Sequence, residues 1–370
     1  MTFATKAIAT FGLALLAVLG NIINLPLFFG VHFIFGSVAV MLAIRLVGFW
    51  PAVWVALAGS AYTWVLWGHP YAIPVFTLEA VVVGLLYRRG LNNLVLADLA
   101  FWLVAGTTLV PALYMGLVGI DTTPATMIAL KQSLNGLFNA LIAGLLVKVL
   151  VWRFQNGTVR WLPPYIRLNE LLFHVLLTLA LIIGTTPVII GSHEDETELE
   201  KGLATVMARA LTTTADRLRQ NPDVSEVLES ELRRFEYTDA IDGIALLNAE
   251  GKVIADAGEF TLPSSGMSRQ FTGLENLDIW LPDSDESLVN RWQQGHYQYH
   301  RPIDDLAVGA KLIADKSAGP LIQTLERKHN ESFAFLAVMA LLSIVVSFLL
   351  SRLLTRPLVK LDHQFARLVR

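Results

Sequence analysis

The sequence has 370 residues, of which 54% are hydrophobic and only 16% are charged, and its mean hydropathy is +0.54. Because soluble globular proteins carry roughly 25% charged residues, this composition excludes an ordinary water-soluble enzyme. Its high hydrophobicity excludes a disordered regulator. The chain contains no cysteine, which excludes disulfides, thiol nucleophiles and cysteine-ligated metals.

The charges are distributed unevenly along the chain. Residues 192–331 hold 26 of the 31 acidic and 14 of the 28 basic residues, a net charge of −12, and the remainder holds 5 acidic and 14 basic residues, a net charge of +9. This split predicts a membrane portion interrupted by an acidic domain in water. Nucleic acid is not an expected partner of that domain, because phosphate binding needs a basic face.

Apolar runs predict the membrane segments. A helix needs about 20 apolar residues to cross a bilayer, and eight runs fit, near 7–28, 31–48, 50–68, 71–88, 94–119, 125–152, 170–190 and 333–354. The expected fold class is therefore a bundle of eight transmembrane helices with an α+β extracytoplasmic domain. The expected order is a six-helix bundle at 1–155, a connector at 156–169, helix seven at 170–191, the external domain at 192–331, helix eight at 332–354 and a linker at 355–370.

Flanking charges predict the orientation. Lys and Arg are enriched in short cytoplasmic loops. A cytoplasmic N-terminus places the Lys and Arg of every short loop on one side, whereas the short loops on the opposite side contain His69 and Asp121 but no Lys or Arg. Both termini are thus expected in the cytoplasm and residues 192–331 outside the membrane. The basic residues on the cytoplasmic side are Lys6, Arg45, Arg88, Arg89, Lys148, Arg153, Arg160, Arg167, Arg352, Arg356, Lys360, Arg367 and Arg370.

Hydrophobic periodicity predicts the elements of the external domain. Leucine, valine and alanine at three- and four-residue spacing predict a helix over 195–235, and a hairpin is expected at Ile244–Leu247 and Val253–Ala255 around the turn Asn248–Gly251. Three further strands and an exit helix follow, at Leu277–Leu281, at His296–Arg301, at Leu306–Ile313 and from Gly319.

This order of elements resembles that of extracytoplasmic Cache-type (PAS-like) sensor domains over about 130 residues. The most specific part of the resemblance is the stretch Asp242–Asp256, which reads DGIALLNAEGKVIAD. The resemblance implies a small-molecule ligand between the sheet and its covering loops. The alternative is that the aromatic residues concerned only pack the core. The residues implied as the ligand wall are Trp280, Trp292, Tyr297, Tyr299, Arg301 and Asp304, and the forked guanidinium of Arg301 suits a carboxylate.

His296 and His300 are four residues apart, a spacing that would align two metal ligands on a helix. The alternating tyrosines favour a strand instead, where the two histidines lie about 13 Å apart. A metal site is therefore not expected, and neither is a cofactor.

The C-terminal segment carries an apolar seam. Leu358, Leu361, Phe365 and Leu368 repeat at 3-4-3 spacing, which is typical of a parallel coiled coil and predicts a homodimer. Pro357 is expected in the first turn of this new helix. With its Arg-Pro-Leu start, the segment resembles the first helix of a HAMP linker, which implies a cytoplasmic output domain beyond residue 370. An amphipathic tail on the membrane surface is the alternative.

Residues 35–68 and 76–89 resemble membrane-associated sensor (MASE-type) domains and, more loosely, the binding subunits of vitamin transporters. The features that carry this likeness are Gly36 in an apolar helix, Trp50-Pro51 at the start of the next and Leu78-Glu79-Ala80 before a double arginine.

Ionisable residues inside hydrocarbon mark either a satisfied pair or a site. Glu79 and Lys131 either pair with each other or line a polar cavity that His32 can join. Asn135 and Asn139 share one helix face with Lys131, and this stripe serves either a ligand or a neighbouring helix. Asp98 is expected to form a salt bridge with Arg45 or Arg88 on the cytoplasmic side.

These features favour a receptor for a small molecule in a bacterial inner membrane, with the bilayer itself as a partner. The resemblances imply the sensory half of a two-component histidine kinase, with a diguanylate cyclase as the second choice, and a response regulator would be reached only through the missing output domain. The sequence carries no catalytic motif, so no catalysis is expected of this chain. A small-molecule transporter is the hypothesis from another class, although no internal repeat is evident.

Overall fold

The computed structural model describes residues 2–28, 31–154, 166–221, 223–235, 239, 241–284, 287–303 and 309–368. Contacts divide the chain into two compact units. The first comprises Met1–Gly191 and Glu326–Arg370 and is helical, and the second comprises Ser192–Leu325 and contains a six-stranded sheet.

The first unit is built from apolar helices. Its elements are α1 (Phe3–Ile22), α2 (Gly36–Leu46), α3 (Phe49–Trp67), α4 (Ala72–Arg88), α5 (Leu94–Phe101), α6 (Thr107–Leu113), α7 (Thr122–Arg153) and parts of α8 (Leu168–Leu218) and α11 (Ala318–Leu368). Among the described residues, six helical segments are long and apolar enough to cross a membrane, namely Phe3–Ile22, Phe49–Trp67, Leu94–Val118, Thr122–Arg153, Leu168–Leu218 and Ala318–Pro357.

Two of the eight predicted spans are shorter than expected. Helix α2 has 11 residues and α4 has 17, so α2 rises about 16 Å, roughly half the thickness of a hydrocarbon core. The predicted end of the helix over 7–28 and the predicted start of the helix over 31–48 are wrong, because α1 ends at Ile22 and a β-hairpin follows before α2. Its strands are β1 (Leu25–Phe28) and β2 (Val31–Phe33).

The sequence explains where the first helix stops. Pro26 has no N–H and cannot continue a helix, and the Asn24 side chain bonds the carbonyl groups of Asn21 and Ile22 at the end of α1. In the hairpin, Leu25 pairs with Phe33 and Pro26 with His32. A short extended segment therefore interrupts the helical bundle.

The outward faces of the helices carry apolar side chains. On α1, Phe3 is 89% exposed and Ile8 and Phe11 are each 74% exposed, whereas Ala17 and Asn21 on the opposite face are buried. Apolar surface of this kind is unfavourable in water and favourable in hydrocarbon. The first unit is accordingly that of a membrane-spanning protein.

The second unit begins with helices. The single helix predicted over 195–235 is wrong, because α8 ends at Leu218 and α9 (Val224–Phe235) begins after a break. The residue before a proline is disfavoured in helical conformation, which accounts for a break at Asn221. The Asp223 carboxylate then accepts a hydrogen bond from the Glu226 N–H at 3.1 Å and caps α9.

The sheet is antiparallel, with strand order β4-β3-β8-β7-β6-β5. The predicted hairpin and the strands near 277–281 and 296–301 are confirmed. The last strand, predicted over 306–313, starts at Lys311 among the described residues and ends at Ser317. The strands are β3 (Gly243–Leu247), β4 (Val253–Gly258), β5 (Met267–Phe271), β6 (Leu277–Pro282), β7 (His296–Pro302) and β8 (Lys311–Ser317), and α10 (Leu288–Gln293) lies between β6 and β7.

Two further differences from the sequence-based expectation concern β5 and the end of α11. Strand β5 was not predicted, since it is an exposed edge strand without a clear apolar alternation. Helix α11 continues through Pro357, where a new helix was expected to begin. The side chains of residues 358–370 lie outside the described part of the chain.

Tight packing at the start of α2 gives a first test. A Cβ on Gly36 would lie 2.7 Å from the Ala17 carbonyl oxygen and would also meet the Asn21 side chain, whereas a Cβ on Gly12 meets nothing within 4 Å. We expect Gly36→Ala to destabilise the protein by about 1–3 kcal/mol, as overpacking does. Thermal unfolding in detergent measures this. Gly12→Ala is the control, and an equal loss in both variants would contradict the packing of α1 against α2.

Candidate functional site

The polar stripe on α7, formed by Lys131, Asn135 and Asn139, faces the extended segment before α2. The Asn135 Oδ1 accepts a hydrogen bond from the Ile34 N–H at 3.0 Å, and its Nδ2 donates to the Ile34 carbonyl at 2.9 Å. Asn139 donates to the same carbonyl at 3.0 Å, and the Lys131 ammonium donates to the His32 carbonyl at 2.8 Å. The stripe therefore has backbone groups as its partners.

The need for these bonds follows from the broken helix. Backbone outside a helix is tolerated at membrane depth only where other protein groups satisfy its N–H and C=O. Asn21 serves the same segment, accepting a hydrogen bond from the Gly36 N–H at 2.7 Å and donating to the Gly59 carbonyl at 2.8 Å. The side-chain amides thus replace the hydrogen bonds that a continuous helix would have made.

Glu79 and Lys131 do not pair with each other. Glu79 is 1% exposed, and its carboxylate accepts hydrogen bonds from the Ser37 hydroxyl and the Trp102 indole N–H, each at 3.1 Å. The Lys131 ammonium lies 5.2 Å from the centre of the Trp67 ring, a cation–π contact. The sequence gives the depth of a residue along its helix but not which neighbour it faces.

Asp98 lies beside Glu79. A Cβ on Gly136 would be 2.9 Å from both Glu79 Oε1 and Asp98 Oδ2, so the two oxygens are at most twice that distance apart. Asp98 is fully buried, and neither of its carboxyl oxygens has a hydrogen-bond partner among the described residues. Glu79 and Asp98 are called the carboxyl pair below.

The expected salt bridge of Asp98 with an arginine is wrong. The Arg45 guanidinium instead donates to the Tyr87 hydroxyl, and that of Arg88 lies over the Phe49 ring. No cation forms an ion pair with the carboxyl pair among the residues described. Two adjacent carboxyl groups in such surroundings cannot both be charged, because like charges repel strongly in a poorly solvated site. The pair can therefore hold a proton.

The turn after α5 brings Trp102 to the carboxyl pair. Residues Trp102–Gly106 form a π-helical turn that begins one helical turn after Asp98. Such turns are rare and often occur at functional sites. Gly136 leaves the space that the Trp102 ring occupies, since a Cβ there would collide with the indole nitrogen.

In the second unit, the predicted ligand wall is divided between two faces of the sheet. Paired residues on neighbouring strands share a face, and Trp280 pairs with His296 whereas Ile279 pairs with Tyr297. Trp280 therefore lies opposite Tyr297, Tyr299 and Arg301. Trp292 is half-buried on α10, and Asp304 lies outside the described residues.

The face with the tyrosines packs against α8. Tyr297 is fully buried, and its hydroxyl donates to the Glu200 carboxylate at 3.4 Å. Burial raises the pKa of the Tyr297 hydroxyl well above its usual range, so the hydroxyl remains a donor. The Arg301 guanidinium donates to the Thr212 hydroxyl at 2.8 Å. The structure thus brings Tyr297 and Arg301 against one helix.

The opposite face, called the polar face, comprises Asp278, Trp280, His296, Gln298, His300 and Asp315. Asp315 is fully buried and accepts hydrogen bonds from the Thr261 N–H and the Gln298 amide, each at 3.1 Å. The Gln298 side-chain carbonyl and the Trp280 indole N–H, both buried, have no hydrogen-bond partner among the described residues. Buried polar groups are nearly always paired, so these two unpaired atoms are exceptions that need an explanation.

The two histidines of the polar face have opposite pKa shifts. The hydrogen bond from His296 to Asp315, together with the negative charge of that carboxylate, raises the pKa of His296. Burial lowers the pKa of His300, although its ring lies 3.4 Å from the Asp278 carboxylate. The strand geometry separates the two rings and excludes the helical spacing that a joint metal site would need.

Sequence reasoning selected the tyrosines of β7 and missed Gln298, Asp278 and Asp315. The signal was present in the stretch HYQYH, where polar residues alternate with tyrosines. Alternation shows that one face is polar but not which face a helix covers. Comparison with family models, with curated proteins and with solved structures finds no match for this chain.

Asn135 and Asn139 provide a matched pair of variants. Asn135→Leu leaves the Ile34 N–H without an acceptor, whereas after Asn139→Leu the Ile34 carbonyl still has Asn135 as its donor. An unsatisfied buried group costs about 1–3 kcal/mol. We expect Asn135→Leu to lower the melting temperature clearly and Asn139→Leu only slightly, in detergent-solubilised protein. The reverse order would contradict the role assigned to Asn135.

His296 predicts a pH dependence. Because its pKa is raised in the folded protein, the protonated ring adds stability below the ordinary value of 6.5 and loses this contribution as the pH rises through the folded value. Hydrogen exchange of β7 should therefore be slower in the wild type than in His296→Gln at low pH. The difference should vanish at high pH, and a difference that grows with pH would contradict this assignment.

Proposed function

We propose that this chain is the sensory part of a membrane receptor and that its small-molecule ligand binds at the polar face of the sheet. One observation carries the proposal, namely that Gln298 is fully buried while its side-chain carbonyl has no donor among the described residues. Beside it, the Trp280 indole N–H has no acceptor. A ligand that offers both a hydrogen-bond donor and an acceptor, such as a small hydroxy or amino acid, would satisfy both groups.

The position of the sheet in the chain supports a signalling role. Its strands lie between α8 and α11, two helices that each include a segment long and apolar enough to cross a membrane. A ligand can shift the balance between two arrangements of these helices only by binding one of them more tightly. We expect such a shift to be the signal.

The end of α11 is proposed to pass the signal on. Pro357, Leu358, Leu361, Phe365 and Leu368 would begin a HAMP linker in a parallel homodimer, and the proposed output is a histidine kinase, with a diguanylate cyclase as the alternative. Helix α2 together with the extended segment before it, and helix α4, are proposed to complete eight crossings. Both termini would then lie in the cytoplasm of a bacterium and Ser192–Leu325 in the periplasm. The charge bias of the loops supports this orientation.

One observation favours a transporter instead. Helix α2 covers only about half a bilayer and is preceded by extended backbone, and broken helices of this kind form the binding sites of many transporters. In this chain, however, the extended backbone already has Asn21, Asn135 and Asn139 as partners. The receptor therefore remains the preferred function.

A binding screen on the whole chain tests the receptor. Small hydroxy acids, amino acids and polyols are added to the detergent-solubilised protein, and we expect one class to raise its melting temperature. Trp280→Phe, which removes the indole N–H together with its five-membered ring, and Gln298→Leu should each abolish the shift. Gln270→Leu on the exposed strand β5 is the control and should retain it.

The outcomes separate the hypotheses. A shift that survives both Trp280→Phe and Gln298→Leu, or the absence of any shift, would contradict binding at the polar face. Uptake of the stabilising compound into proteoliposomes would favour the transporter.

A further inference from the structure

A cavity of about 60 Å³ opens to the surface of the first unit. It lies where the end of α2, the loop between α4 and α5, the last turns of α7 and the first turns of α8 meet. The polar residues in its wall are Arg45, Asn92, Asn93, Lys148, Glu170 and His174. The loop charges predict that all four of these chain regions lie on the cytoplasmic side of the membrane.

The cavity has more positive than negative charge. Its wall holds two cationic side chains, Arg45 and Lys148, and one carboxylate among the described residues, Glu170, which lies 3.9 Å from the Arg167 guanidinium. Neither Arg45 nor Lys148 has a carboxylate partner within ion-pair distance in the described part of the chain. Both are half-buried, and a charge removed from water without a counter-ion is unfavourable. A bound anion would therefore supply a counter-ion for Arg45 and Lys148.

Arg45 and Lys148 are each held by hydrogen bonds within the protein and still have N–H groups that can donate to a further acceptor. The Lys148 ammonium lies 3.4 Å from His174 Nε2 and 3.5 Å from the Gly144 carbonyl. His174 Nδ1 lies 2.7 Å from the Glu170 carbonyl and must donate to it, so its Nε2 accepts from Lys148. Arg45 is fixed by its bond to the Tyr87 hydroxyl, and a guanidinium has five N–H donors in all.

The surface near the cavity is apolar. On α7, Val149 is 56% exposed and Trp152 is 67% exposed, and on α8 Val175 is 41% exposed and Leu179 is 54% exposed. These residues follow Lys148 and His174 within about one helical turn. A group held at the cavity would thus have apolar helix surface beside it, which suits acyl chains better than a free ion in water.

We propose that this cavity binds the phosphate of an anionic membrane lipid, with Arg45 and Lys148 as the two cationic ligands and His174 as the residue that positions Lys148. Basic cavities between membrane helices on the cytoplasmic side recognise phosphate headgroups in this way. Arginine supplies the planar fork that phosphate oxygens accept. The inference is independent of a ligand at the sheet.

Native mass spectrometry of the detergent-solubilised full chain tests the proposal. We expect phosphatidylglycerol to be retained more strongly than phosphatidylcholine with the same acyl chains. Arg45→Gln and Lys148→Gln should each weaken retention at least about tenfold, the effect of losing one charge-assisted hydrogen bond. Arg89→Gln, an exposed arginine outside the cavity, changes the charge equally and should leave retention unchanged.

Three results would overturn the proposal. They are equal retention of the two lipids by the unaltered chain, an equal loss in Arg89→Gln, and displacement of phosphatidylglycerol by inorganic phosphate at equal concentration, which would assign the cavity to a free anion. The first and third need no variant, so the proposal stays testable if Arg45→Gln or Lys148→Gln does not fold.

Discussion

Polar groups buried among apolar helices must find partners within the protein, and this constraint accounts for most of the first unit. A chain that stops its first helix at Ile22 and resumes helix at Gly36 leaves backbone N–H and C=O groups that a continuous helix would have paired. Asn135 and Asn139 supply the missing partners from α7. The polar stripe is thus a part of the framework.

The carboxyl pair follows the same constraint with a different outcome. Glu79 has the Ser37 hydroxyl and the Trp102 indole as donors, but Asp98 has none among the described residues. Two negative charges side by side would be unfavourable in such a poorly solvated place, so at least one of the two groups is expected to be neutral.

The sequence predicts the parts of the fold that depend on local chemistry. Strands β3, β4, β6 and β7 follow from alternation and turn residues. The end of α1 did not, because the apolar run continues past Asn24 and Pro26. Three features escaped prediction for physical reasons. Edge strand β5 lacks a buried face, the break at Asn221 interrupts an otherwise helical periodicity, and the contacts of Glu79 depend on helix rotation.

Buried polar side chains differ in whether they have hydrogen-bond partners within the protein, and this difference guides the assignment of the ligand site. Asn135 on α7 bonds the backbone and holds the structure together, whereas Gln298 and Trp280 each keep a buried polar atom without a partner among the described residues and are the proposed ligand contacts. Hydrogen exchange of the liposome-reconstituted chain, with and without a compound that stabilises it, tests this most directly. The account predicts added protection over residues 277–282 and 296–301 and none over 131–139. Protection confined to residues 131–139 would contradict it.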